Sequence, residues 1–213
     1  MGFIMRYYIS TFKNVIIWLC LCMAFGLAGV AHAQTVENIT PFIGAGPSSD
    51  AGAAHGRDPR DDEKLFINAD IDFELSDELR EVALKGVPLH FTADVEITSQ
   101  RWWWFDKTEI KESQTWRVVY NVLTRQWRVG TGDLLLPEPS LADATYPMRH
   151  IRNWAVAYVI DLDPDKTYHG RLRLRLDTSL LTRPLQVDAL NGRAWSLVTP
   201  WKNFSFSVGA LQP

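Results

Sequence analysis

The sequence predicts an all-β fold: an antiparallel β-sandwich, immunoglobulin-like or a curled sheet, with one or two short helices. Three observations predict it. Apolar and polar residues alternate at period two in several segments of strand length. Turn signals separate those segments. Behind an apolar leader and a Gly- and Pro-rich stretch, about 150 residues remain, the size of a single domain.

The elements follow in chain order. Ile67, Ala69, Ile71, Phe73 and Leu75 alternate with Asn68, Asp70, Asp72 and Glu74, which reads as a strand with one wet face. Ser76 can cap a short helix with Asp77 and Glu78 in its first turn, and Gly86 can end it. A second strand points Leu89, Phe91, Ala93, Val95 and Ile97 inward and His90, Thr92, Asp94, Glu96 and Thr98 outward. A third carries Trp116, Val118, Tyr120 and Val122 on one face, and Thr124 to Gln126 turns it into Trp127-Arg128-Val129. Ser140 and Asp143 have capping-box spacing ahead of a stripe of Leu141, Ala144, Met148 and Ile151. Pro147 lies inside that stripe, so this helix should be short, kinked or broken. Trp154, Val156, Tyr158 and Ile160 resume alternation. Leu172, Leu174 and Leu176 alternate with Arg171, Arg173 and Arg175, and Phe204, Phe206 and Val208 form a last strand.

The N-terminus has the layout of an export signal. Arg6 and Lys13 precede an uncharged apolar run from Val15 to Val30, and Ala31-His32-Ala33 is a small-x-small cleavage site. The run is shorter than the ~20 residues that span a bilayer comfortably. Residues 1–33 are therefore expected to be a signal peptide, with an uncleaved inner-membrane anchor as the alternative. Cleavage would remove both cysteines, Cys20 and Cys22, and suit the chain to an oxidising compartment. Residues 34–62, rich in Gly, Ala, Ser, Pro and Asp, are expected to be a flexible linker. Residues 63–213 are expected to be one β-rich domain.

Charge narrows the partners. The chain has 22 Lys+Arg against 25 Asp+Glu, a net charge of -3. Losing Arg6 and Lys13 would leave 20 against 25, or -5. No surplus exists to neutralise phosphates, which argues against a nucleic-acid partner.

Two patterns stand out as candidate binding residues. The first is Arg101-Trp102-Trp103-Trp104-Phe105. Successive side chains of a strand point to opposite faces, so three consecutive tryptophans cannot all enter one core. An exposed Trp beside Arg can stack on a sugar, dock a partner or sit at a membrane interface. The bland alternative packs Trp102 and Trp104 in the core and Trp103 under a tail segment. The second pattern is the row Arg171, Arg173 and Arg175. If its strand neighbours the one bearing Asp70, Asp72 and Glu74, the two rows pair across strands. The functional alternative is recognition of an anionic ligand.

Other chemistry leaves weaker traces. Asp161, Asp163 and Asp165 have the spacing that opens a calcium loop, but Lys166 and Leu172 stand where that loop needs Gly and Glu. A plain turn fits better. Histidines lack metal-ligand spacing, and no Gly-x-Ser-x-Gly turn is present. The reading calls for no catalytic residue, no metal and no cofactor.

Several blocks in order carry a resemblance. They run from Ala69-Asp70 with Phe73 and Leu75, through Gly86-Val87-Pro88-Leu89 and Phe91, to Arg101-Trp102-Trp103-Trp104-Phe105-Asp106. They continue with Thr115-Trp116-Arg117, Leu123 to Val129, Trp154, Arg171 to Asp177, Pro184-Leu185-Gln186-Val187 and Trp195. The chain resembles domain-of-unknown-function family 4390, exported proteins known mainly from β-proteobacteria. The resemblance brings no activity, cofactor or catalytic residue. Members are often encoded beside a nitrogen-regulation-type sensor kinase, which implies an accessory role near a membrane sensor.

Taken with the leader, these readings lead to an exported, periplasmic or secreted binding module. Its partner would be a protein or glycan of the envelope, with a membrane involved only if the leader stays uncleaved. The alternatives are a carbohydrate- or peptidoglycan-active enzyme using two carboxylates in a groove, and an N-terminally anchored structural protein.

Overall fold

The computed structural model describes residues 34–45, 63–99, 107–181, 183, 186 and 195–211. The leader 1–33, the segment 46–62 and the Arg101–Phe105 run lie outside them. The described residues form an antiparallel β-sandwich of nine strands and three short helices.

One sheet has three strands in the order β1-β2-β7: β1 is Thr35–Ala45, β2 is Glu63–Asp72 and β7 is His150–Tyr158. The other has six in the order β6-β5-β4-β3-β8-β9. Here β3 is Leu89–Ser99, β4 Lys107–Asn121, β5 Gln126–Gly130, β6 Leu136–Glu138, β8 Thr167–Leu176 and β9 Lys202–Ser207. An immunoglobulin constant domain places about four strands on three; this sandwich places six on three.

The core lies between the sheets, where the alternation directs it. Leu89, Phe91, Ala93, Val95 and Ile97 of β3 are fully buried, as are Leu172 and Leu174 of β8 and Leu65 and Ile67 of β2. The rings of Phe73 and Phe91 meet across the core at 5.7 Å. Helix α1 (Asp77–Leu84) starts where Ser76 Oγ accepts the Leu79 N–H, and Gly86, at φ 88°, turns the chain out of it. Helix α2 (Leu141–Arg149) is capped by Ser140 and buries Ala144, Thr145 and Met148. Pro147 does not break it. The helix is short and ends two residues later, so only the Asp143 carbonyl loses its usual N–H partner. Helix α3 (Val208–Leu211) is a single turn.

Three expectations are corrected. Residues 35–45 are not linker: they form β1, paired with β2 from Thr35↔Asp72 to Ala45↔Glu63. A register shift between Val36 and Asn38 hides the pattern, because a bulge changes which parity faces inward. Ile39, Pro41 and Ile43 then sit opposite the buried Ala69, Ile67 and Leu65. An edge strand tolerates Pro41. The second correction is in β7, where alternation stops at Val156. Tyr158 and Ile160 are exposed and Val159 is buried instead, in a 3-10 turn over Val159–Asp161. Third, Val122 lies past the end of β4 and is exposed.

Candidate functional site

The outer face of the six-stranded sheet is built from the polar positions of β3, β4 and β8. Register places Glu96 opposite Arg171, Asp94 opposite Arg173 and Thr92 opposite Arg175. On the other flank of β3, Lys111 lies opposite Glu96 and Arg117 opposite His90. The acidic partners of the arginine row are therefore on β3. Asp70 and Asp72 belong to the other sheet, and the expected pairing with them is corrected. Period two alone cannot tell which wet strand becomes the neighbour.

The pairs are well defined. Arg171 donates from Nε and Nη2 to Glu96 Oε2, and Lys111 Nζ lies 3.4 Å from the other oxygen. Asp94 Oδ2 accepts from Arg173 Nε at 3.0 Å and Arg175 Nε at 2.9 Å. Arg175 Nη1 reaches Asp177 at 2.9 Å. Trp201 adds a second layer: the guanidinium carbons of Arg171 and Arg173 stand 4.7 and 4.3 Å from its ring centre. Thr92 and Thr115 share a hydroxyl hydrogen bond beside this ladder.

Electrostatics follow the geometry. The hydrogen bond from Arg171 holds the Glu96 carboxyl below its ordinary value, against the opposing effect of burial. Burial pushes Asp177 up, but bonds from Ser179 and Arg175 outweigh it and the net direction is down. Burial likewise works against the Arg175 charge, and Asp94 and Asp177 more than restore it. Burial, then the Arg117 charge, lowers His90. On this face, among the described side chains of β3, β4, β8 and the residue after it, five cations meet three carboxylates: Lys111, Arg117, Arg171, Arg173 and Arg175 against Asp94, Glu96 and Asp177. Those described side chains carry a positive surplus on a chain whose net charge is -3.

The arrangement preorganises cations and leaves donors over. Arg173 bonds Asp94 through Nε, and among the described residues its Nη groups have no hydrogen-bond partner. A groove of about 470 Å³ runs alongside, lined by Glu96, Thr98, His169, Arg171, Asn203 and Phe204. The ladder can bind a carboxylate or phosphate with planar, paired hydrogen bonds. Arg101, Trp102, Trp103 and Trp104 lie outside the described residues.

Other candidates resolve differently. Asp163 accepts the Asp165 N–H and pairs with Lys166 at 3.0 Å, which makes Asp161–Lys166 a closed turn. On the outer face of the three-stranded sheet, Asp70 Oδ1 meets His150 Nδ1 at 3.0 Å and Arg152 Nη2 at 2.5 Å. Those bonds, His150's first, lower the Asp70 carboxyl. Among the described residues no three His, Cys, Asp or Glu side chains cluster as metal ligands. Sequence reasoning missed Trp201, a lone tryptophan after a proline with no local pattern to mark it.

A family model described as a domain of unknown function (DUF4390) matches residues 58–205. No curated protein and no solved structure matches the chain.

Proposed function

The chain belongs to the DUF4390 family, and on that footing we propose that it is an exported binding module for an anionic envelope component. The observation that carries this reading is the ladder Arg171, Arg173 and Arg175, held by Asp94, Glu96 and Asp177 and roofed by Trp201. Carboxylate partners fix the guanidinium planes before a ligand arrives, which lowers the ordering cost of binding. The ligand is a protein or glycan carrying carboxylates or phosphates. The run Arg101 to Trp104 supplies a second contact patch by its composition.

Export is supported by the leader and by the removal of both cysteines with it. Residues 1–33 are the cleaved signal, and the mature domain acts in the periplasm beside a membrane sensor or envelope assembly. The carboxylate-enzyme alternative needs one acid kept protonated by apolar burial. A cleft described below does hold two carboxylates, Glu112 and Asp161, but both are exposed. That favours binding over hydrolysis.

Intact mass of the protein in native envelope fractions tests the export half. A soluble periplasmic chain beginning at Gln34 is expected; a full-length chain in the inner membrane would overturn it. Arg173→Glu tests the binding half. Binding to envelope glycans should fall at least tenfold while the fold persists, and unchanged binding would reject the ladder as the contact. Trp103→Ala should also weaken binding in a folded protein if the tryptophan run makes contact.

A further inference from the structure

The two sheets do not meet equally on both sides. On one side β1 packs beside β8 and β9. On the other, between β7 and β4, helix α2 fills only part of the opening, with Ala144, Thr145 and Met148 turned inward. The remainder is a cleft of about 600 Å³ lined by Lys64, Ile110, Glu112, Ala157, Tyr158 and Asp161 among others. That volume suits a specific ligand.

Two strand edges wall this cleft. β4 runs from Lys107 to Asn121, yet it pairs with β5 only from Arg117 onward. β7 is one of the two edge strands of its sheet. Among the described residues, neither edge has a strand partner here. A strand presents its N–H and C=O groups alternately to left and right, so β3 satisfies only one set on β4. The other set is a template for an added strand.

The charges say what kind of strand. Glu112 sits opposite Val95, a fully buried core residue, so its carboxylate lies on the inward face of β4. The cleft's cations point elsewhere: Lys64 Nζ stands 4.7 Å from the Tyr158 ring centre, and Lys111 reaches Glu96 on the outer face. Glu112 and Asp161 have no ion pair among the described residues. The cleft therefore offers hydrogen-bonding edges and, although Lys64 and Lys111 balance its formal charge, two carboxylates with no cation bonded to them.

We propose that this cleft takes an extended segment of a partner protein, added as a strand to the free half of β4, with a Lys or Arg side chain facing Glu112 and Asp161. Backbone bonds supply affinity and the basic side chain supplies register. The site differs from the arginine ladder in chemistry, and Lys111, which lines the cleft and pairs with Glu96, adjoins both.

The experiment is selection of linear decapeptides from a display library on the full chain. Selected peptides should be rich in β-branched residues and carry Lys or Arg near the centre. A synthetic representative should lose about tenfold in affinity against Glu112→Lys or Asp161→Lys. N-methylation of alternate peptide bonds should abolish binding, and Arg173→Glu should leave it unchanged. Both carboxylates are exposed, so unchanged melting curves will show that the variants fold. A library yielding no binder, or binders indifferent to both charge reversals and to N-methylation, would overturn the proposal. Loss with Arg173→Glu alone would assign the peptide to the ladder instead.

Discussion

Arg173 sits at the centre of the outer face, between the Asp94 carboxylate and the Trp201 ring. Its side chain is about one-third exposed, so its ion pair is partly screened. Arg173→Ala is expected to cost roughly 1 kcal/mol of stability in urea unfolding, from the lost pair and ring contact together. A loss beyond about 3 kcal/mol would mean the residue is structural first. Gly170 is a sharper case. A Cβ there would stand 2.1 Å from Phe204 Cζ, because the ring occupies that space. Gly170→Ala should destabilise by about 1–3 kcal/mol, and Phe204→Ala in the same chain should recover part of it. His90 gives the pH dependence. Its folded pKa is lowered from 6.5 by burial and Arg117, so the unfolded chain binds the proton more readily. Its contribution is complete above pH 6.5 and declines as pH falls through that value toward the folded pKa. Denaturant midpoints between pH 7.5 and 5.5 should therefore slope less in His90→Gln than in the parent chain. Glu96, Asp70 and Asp177 are lowered too and add a second decline, below their ordinary values of 4.5 and 3.8.

Strands β2, β3 and β8 were legible because apolar and polar residues alternate over most of their length; burial follows that pattern throughout β8, in β3 except at Thr92, and in β2 from Ile67 onward, with Phe66 buried beside Leu65 and Ile67. The arginine row was legible for the same reason. Its partners were not, since pairing between β3 and β8 joins segments more than 70 residues apart. β1 and the end of β7 were obscured by local irregularity. A bulge near Glu37 resets parity in β1, and Asn153 at φ 52° donates its N–H to Asn68 as β7 slips register. β1 also yields a prediction. Deleting residues 34–45 would leave the backbone edge of β2 unpaired and remove Val36 from the core. Such a chain is expected to lose cooperative unfolding or to melt well below the parent, and an unchanged melting temperature would show that β1 is dispensable.

At the scale of the molecule, the same device serves the fold and the function proposed for it. Alternation turns one face of the six-stranded sheet into core and the other into a charged ladder. The core face needs only apolar residues of suitable volume, whereas the outer face spends three arginines, two β3 carboxylates and a tryptophan on one ordered surface. Surface ion pairs stabilise weakly, each by about 0–1 kcal/mol, so stability alone gives little reason for the arrangement. The anion recognition proposed above would give one. The measurement that tests this most directly is salt-dependent binding of the full chain to isolated envelope material, compared with Arg171→Glu/Arg173→Glu. Saturable binding that weakens with ionic strength and falls at least tenfold in the double variant is the predicted result. Binding that is absent, or indifferent to both salt and charge reversal, would contradict it.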